Sequence, residues 1–282
     1  MCIRDRSIER AIELAQRLEK DKNSIAKPYS NYFSLELVLT TKCNLACKYC
    51  YARSDKDDVG YYGLKPMNMD FSTAKRAVDF SMNLLIKNMI TNNKNEGIFD
   101  IYFMGGEPLL NKEVLMSTMK YIKSKVEEIK KETDISIEVQ AAISTNGTLI
   151  DENIAKFFSE FEFSYVGITI DGERHDMYRV YKNGKGTLGD VLKGINILNK
   201  HNVNLKLVSV VSPREVKNIS KIIEFYRLLG IYDKAIRISI VPKAPTKDEI
   251  DRACVISKDY ISEVIDCLLY TSDAADELDG VD

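Results

Sequence analysis

Ser34-Leu35-Glu36-Leu37-Val38-Leu39-Thr40-Thr41-Lys42-Cys43-Asn44-Leu45-Ala46-Cys47-Lys48-Tyr49-Cys50 reads as a strand (34–40) that runs straight into a loop carrying three cysteines. The CxxxCxxC spacing offers three thiolates to one metal centre, and no fourth ligand stands nearby. Iron-sulfur cubes ordinarily take four protein ligands, so three leave one iron open to something that is not protein. Structural zinc sites are closed by four side chains. Apart from the two cysteines at the chain ends, the remaining one is Cys254; the histidines are His175 and His201, and neither lies at zinc-finger spacing from the loop. Zinc is thus the alternative with the poorer ligand count.

Outward from this stretch, short β-branched or aromatic runs alternate with longer helical patterns, as in successive βα units around a parallel sheet. The strands are expected at 34–40, 99–104, 135–144, 164–170, 204–211 and 235–241. Helices are expected at 71–90, 112–131, 151–159, 188–200 and 215–229, with a further one at 257–267. Eight such units close a (β/α)8 barrel. Six imply an α/β fold with a partial, open-sided (β/α)6 TIM-like barrel, preceded by an amphipathic N-terminal helix at 7–20. In barrels of this kind the site is built from the loops after the strands. Here the first four strands each lead into a polar or glycine-containing cluster: the cysteines, then Gly105-Gly106-Glu107-Pro108, Thr145-Asn146-Gly147-Thr148 and Asp171-Gly172.

The 282 residues include 45% hydrophobic positions, enough for one large buried core. With 40 basic and 42 acidic residues, and no basic stripe, a nucleic acid is not the expected partner. No apolar run is long enough for a membrane span and no export signal opens the chain, so a cytoplasmic, membrane-free protein is expected. In that compartment clustered thiols fit metal ligation better than disulfides. The expected organisation is a helix and linker over 1–30, with Pro28 in the linker, a barrel over 31–245, and a last helix or the start of a further domain over 246–266. The stretches at 1–6 and 267–282, which hold Cys2 and Cys267, resemble translated sequencing adapter, and a truncated gene fragment is the expectation; a genuine acidic tail is the alternative.

Taken singly, each motif has a plain structural reading. Gly105 to Pro108 also fits a strand-ending turn, Asn146-Gly147 a common turn dipeptide, and Thr148 a helix cap. His175 titrates near neutrality and invites acid–base work, but it reads better as a group that orders the loop beside Asp176. Val210-Val211-Ser212 ends the fifth strand as pocket lining or as core, Gly186-Thr187 suits a helix start, and Cys254 reads as a free buried thiol.

In order along the chain, the cysteine loop with Tyr49 and Tyr51, the Gly-Gly-Glu-Pro stretch, and Thr169-Ile170-Asp171-Gly172 followed by His175, Asp176 and Arg179 resemble the radical S-adenosylmethionine (radical SAM) enzymes over 34–242. The resemblance implies that Cys43, Cys47 and Cys50 ligate a [4Fe-4S] cluster whose open iron chelates SAM. It implies that Tyr49 lies against the adenine, although a packing aromatic serves equally. Gly105, Gly106 and Glu107 would receive the SAM ammonium group, Asn146 would face the sugar and methionyl part, and Thr169 with Arg179 would bind the carboxylate. Thr169 stands where the pattern has serine, and the spacer before His175 is about two residues shorter than the pattern, within ordinary loop variation.

The implied reaction is reductive cleavage of SAM to a 5′-deoxyadenosyl radical that takes hydrogen from a substrate, with an external one-electron donor of flavodoxin or ferredoxin type. The subgroup most resembled is the peptide and protein maturases with a SPASM-type extension, such as anaerobic sulfatase-maturating enzymes. A peptide or protein substrate, entering at the open side of the barrel, is therefore expected. That extension would bring further cysteines, which the chain lacks. A radical SAM enzyme of small metabolites and a non-enzymatic metal-binding module remain as alternatives, and no catalytic acid or base is assigned.

Overall fold

The computed structural model describes residues 31–50, 65–211, 219–229 and 235–240. The expected helices at 7–20 and 257–267, and Cys2, Tyr51, Ser212, Cys254 and Cys267, lie outside them. Within the described residues six strands alternate with helices. They are β1 (Tyr32–Thr40), α1 (Phe71–Thr91), β2 (Glu96–Gly105), α2 (Lys112–Glu132), β3 (Ser136–Thr145), α3 (Glu152–Glu160), β4 (Tyr165–Thr169), the single-turn α4 (His175–Tyr178), α5 (Leu188–Lys200), β5 (Leu205–Val211), α6 (Ile219–Leu228) and β6 (Ala235–Ile240). The strands form one sheet in the order β1-β2-β3-β4-β5-β6, and every pairing is parallel. No pairing joins β1 to β6 among the described residues, so the sheet is an open partial barrel, as expected.

Caps fix where the helices start. Asp70 accepts a hydrogen bond from Thr73 N at 2.8 Å ahead of α1, and Asp151 does the same for Ile154 N ahead of α3. Strand β2 begins earlier than sequence suggests, at Glu96 rather than Phe99. Glu96 and Gly97 have little strand preference, but pairing decides: Ile98 donates to Asn31 O at 2.8 Å and Glu96 stands opposite Ser136. Two short 3-10 turns, Pro108–Asn111 and Gly172–Arg174, interrupt the connections after β2 and β4.

Alternation sorts the sheet into two faces. Leu37, Leu39, Phe99, Ile101, Phe103, Ile143, Val166, Ile168, Leu205 and Leu207 are buried in one cluster with Val78, Met82, Leu115, Ile122, Phe158 and Leu198 from the helices. On β2 the alternate residues Phe99, Ile101 and Phe103 are fully buried in this core, each stabilising by about 1.5–3 kcal/mol. The opposite, concave face is polar: Ser34, Glu36, Asp100, Tyr102, Gln140 and Tyr165 line a cavity of about 500 Å³. Because all strands run the same way, the loops after β1 to β4 share one rim. No helix among the described residues is long and apolar enough to cross a membrane.

Candidate functional site

The cysteine loop leaves β1 and is tied to both of its neighbours on the rim. On one side Ala46 N donates to Val180 O at 2.8 Å and Lys48 N to Tyr178 O at 2.9 Å. On the other, Asn44 Nδ2 donates to Thr148 Oγ1 at 2.9 Å and Asn44 Oδ1 accepts from Asn146 Nδ2 at 2.8 Å. Leu45 is fully buried beneath the loop, whereas Cys43, Cys47 and Cys50 are half-buried and free of disulfides. Asn146 Nδ2 also lies 3.9 Å from Cys43 Sγ. Thr148 does not cap α3; its hydroxyl donates to Asn146 Oδ1 at 2.7 Å, leaving the capping to Asp151.

After β2, Gly106 N donates to Thr40 O at 2.9 Å and Glu107 N to Lys42 O at 2.8 Å. This contact explains both glycines: a Cβ on Gly105 would sit 2.4 Å from Thr40 O, and one on Gly106 would sit 2.2 Å from Lys42 O. The close approach is therefore between two backbones, just ahead of the cysteines. Glu107 is wholly buried. Its Oε1 accepts from Thr145 Oγ1 at 2.7 Å and Leu109 N at 3.0 Å, and its Oε2 from Asn146 N at 2.7 Å. Burial pushes its pKa up, and those three hydrogen bonds oppose the rise.

After β4, the chain builds a cradle for one arginine. Arg179 is only 8% exposed. Its backbone N donates to His175 O at 2.8 Å, and its carbonyl accepts from Thr187 Oγ1 at 2.8 Å. Having used its proton there, the Thr187 hydroxyl accepts from His175 Nε2 at 3.0 Å, while His175 Nδ1 accepts from Asp171 N at 3.2 Å. These partners fix a neutral imidazole carrying its hydrogen on Nε2. Burial, reinforced by the Arg179 charge, pulls its pKa down to about 4. Asp176 Oδ1 accepts from Thr187 N and Leu188 N, at 2.7 and 2.8 Å, and so starts α5. His175 and Asp176 therefore order the loop.

The Arg179 guanidinium points back to the cysteine loop, where Nη1 donates to Tyr49 Oη at 3.0 Å. Tyr49 in turn donates to Asp171 Oδ2. Asp171, buried just past the end of β4, was singled out in sequence only as part of the Thr169–Gly172 rim stretch, with no role of its own; its partner Tyr49 is more than a hundred residues away. Arg179 Nε is buried and has no hydrogen-bond partner among the described residues. Thr169 lies half-buried at the end of the same strand, and Gly105, Gly106, Asn146 and Tyr49 share the rim with it.

The donor set fits an iron-sulfur cluster. Burial, with the Glu107 charge, pushes the Cys43 thiol up to about 12, and burial raises Cys47 against the pull of Arg179. Without a metal these thiols stay protonated; a metal must displace the protons. Among the described residues no three His, Cys, Asp or Glu side chains gather around a single ion. A cube spreads its ligands over three irons, which suits thiols fanned along one loop. The unpaired, buried Arg179 N–H beside that loop calls for an anion or acceptor.

Over most of this fold the chain is similar to known proteins. Residues 37–229 match the model of the Radical SAM superfamily. An uncharacterized protein of Methanocaldococcus jannaschii is 34% identical over 198 residues, 70% of this chain and 59% of its own length. A cysteine-type anaerobic sulfatase-maturating enzyme of Clostridium novyi is 32% identical over 192 residues, 67% of this chain and 46% of its own. The chain thus spans about half the length of the curated relatives it matches. The solved structure of native anSMEcpe with bound AdoMet and Kp18Cys peptide superposes with a TM-score of 0.59 at 25% identity, over 74% of this chain and 51% of that one. SuiB of Streptococcus suis bound to S-adenosylmethionine shares the fold at a TM-score of 0.52 and 14% identity, over 96% and 53% of the two chains.

Proposed function

The chain belongs to the radical SAM superfamily, and on that premise we propose that it is a peptide- or protein-modifying enzyme whose Cys43, Cys47 and Cys50 hold a [4Fe-4S] cluster and whose rim holds SAM. When bound, cluster and SAM supply a reductive cleavage giving a 5′-deoxyadenosyl radical that takes a hydrogen atom from substrate. An external carrier of flavodoxin or ferredoxin type provides the electron. The observation that carries this reading is Arg179: buried, tethered at Nη1, and with its Nε hydrogen unpaired beside the cysteine loop. A planar guanidinium with a free edge suits a carboxylate, and the methionyl carboxylate of SAM is the acceptor that belongs there.

Thr169, at the end of β4, adds a hydroxyl donor to the carboxylate. The Gly105-Gly106 backbone receives the ammonium group, and Glu107, whose carboxylate accepts from Leu109, Thr145 and Asn146, braces that wall. Tyr49 packs at the adenine side. The catalytic unit spans 31–245, and the polar concave wall with Asp100, Tyr102, Gln140 and Tyr165 receives the substrate. A peptide is favoured over a small metabolite by the sulfatase-maturating relatives and by the peptide bound to anSMEcpe.

Anaerobic reconstitution with iron and sulfide, reduction, and addition of SAM test the proposal, with 5′-deoxyadenosine measured by chromatography. A brown protein that forms the nucleoside is expected, and Cys47→Ala should reduce the yield to background. A fully loaded cluster that never cleaves SAM would overturn the assignment, as would a protein that binds only zinc.

A further inference from the structure

We propose that Tyr49 and Asp171 are positioning residues that aim the Arg179 guanidinium at the carboxylate of SAM; this rests on the SAM site proposed above. The direction of each hydrogen bond carries the inference. A phenol has one proton, and Tyr49 gives it to Asp171 Oδ2. Its oxygen must therefore accept toward Arg179, and Nη1 fills that place at 3.0 Å. The carboxylate is held in turn, because Asp171 Oδ1 accepts from Val210 N at 2.9 Å on the next strand. With Nη1 tied, the guanidinium plane cannot rotate freely, and the Nε edge, whose hydrogen is buried and unpaired, is left for a ligand.

A second set of bonds holds only the backbone of Arg179, through His175 and Thr187. Removing the Tyr49 link should therefore release the guanidinium while its loop stays in place. The link also joins two parts of the site: Tyr49 lies between Cys47 and Cys50, so the loop that would hold the cluster also orients the arginine.

Asp171→Asn is a sharp probe. Val210 N requires an acceptor, so the asparagine oxygen must face it and the amide NH2 must face Tyr49. The phenol then becomes an acceptor there and turns its proton toward Arg179, where two donors oppose each other. Tyr49→Phe removes the acceptor with the loss of one oxygen and keeps the ring for any contact with adenine.

The test uses the reconstituted chain without reductant, so that SAM is bound but not cleaved. Equilibrium dialysis compares SAM with decarboxylated SAM, which keeps the adenosine and the ammonium group. Wild type should prefer SAM. Tyr49→Phe and Asp171→Asn should each lose about tenfold or more in SAM affinity, the scale of a hydrogen bond to a charged group, while affinity for the decarboxylated probe holds. Iron content and absorbance should match wild type. Retention of the full preference in both variants, or an equal loss for both probes, overturns the proposal. A wild type that binds SAM but shows no preference removes the carboxylate assignment at Arg179 and the proposal with it, and a wild type that binds neither probe removes the SAM site itself. If Asp171→Asn does not take up iron, Tyr49→Phe decides alone.

Discussion

The two flanks of the cysteine loop each bury an ionisable side chain, and they treat it in opposite ways. On the β2–β3 flank, the Glu107 carboxylate is wholly buried and meets three donors from Leu109, Thr145 and Asn146. On the β4 flank, the Arg179 guanidinium is nearly as buried but keeps one N–H with no acceptor. A buried polar group that is left unpaired is costly, so native folds rarely keep one without use for it. Under the proposed function the difference separates bracing from binding: Glu107 joins two loops into one rim, and the open edge of Arg179 is the part proposed to take a ligand.

Glu107→Ala tests this contrast with the largest expected effect. It strips three buried donors of their acceptor at once and should destabilise the chain by about 3–5 kcal/mol. Urea unfolding of the cluster-free protein measures it. Arg179→Met, by contrast, should change stability far less than it changes the preference for SAM over decarboxylated SAM. If Glu107→Ala unfolds within about 1 kcal/mol of wild type yet no longer binds SAM, Glu107 is a ligand contact and the contrast fails.

This division was only half legible in sequence. The strands were, because apolar runs such as Ile101 to Met104 end in Gly-Gly-Glu-Pro and leave few other assignments. The position of the rim followed from the parallel order of the strands. What each rim residue touches did not follow. Sequence offered Glu107 as a carboxylate for a cation but not its bonds to Thr145 and Asn146, and it offered Gly105 and Gly106 as a close approach without showing that Thr40 and Lys42 are what a Cβ there would meet. Tyr49 and Asp171 are neighbours only because β1 and β4 end on one rim, and no local pattern encodes a bond across that distance. His175 could be placed because Asp176 beside it offered a structural task, which the Asp176 contacts to Thr187 and Leu188 fulfil.

The arginine flank should also respond to acid, with an intermediate effect. His175 is neutral when folded, with its pKa pulled down to about 4 by burial and then by the Arg179 charge, against the opposing pull of Asp176. The unfolded chain binds a proton near pH 6.5, so stability is complete above that value and falls as pH drops toward 4. Between pH 7.5 and 5.5 this group alone should remove roughly 1 kcal/mol, read from urea unfolding at each pH. His175→Gln should flatten that part of the slope. An unchanged slope would mean that another group controls the acid response of this flank.

Asn44→Ala gives the smallest change and the finest comparison. It removes the bonds to Thr148 and Asn146 that tie the cysteine loop to β3, while Ala46 and Lys48 still hold the loop to Val180 and Tyr178. Both lost bonds are partly exposed, so about 1 kcal/mol of stability should go, measured by urea unfolding. The loop would then keep its backbone bonds to the arginine flank and, toward β3, only the long contact from Asn146 Nδ2 to Cys43 Sγ. If that flank sets the orientation of Arg179 through Tyr49, preference for SAM over decarboxylated SAM should survive the substitution. Loss of the preference would mean that the β3 tether also aims the guanidinium, and the two flanks would no longer be separable into one that braces and one that binds.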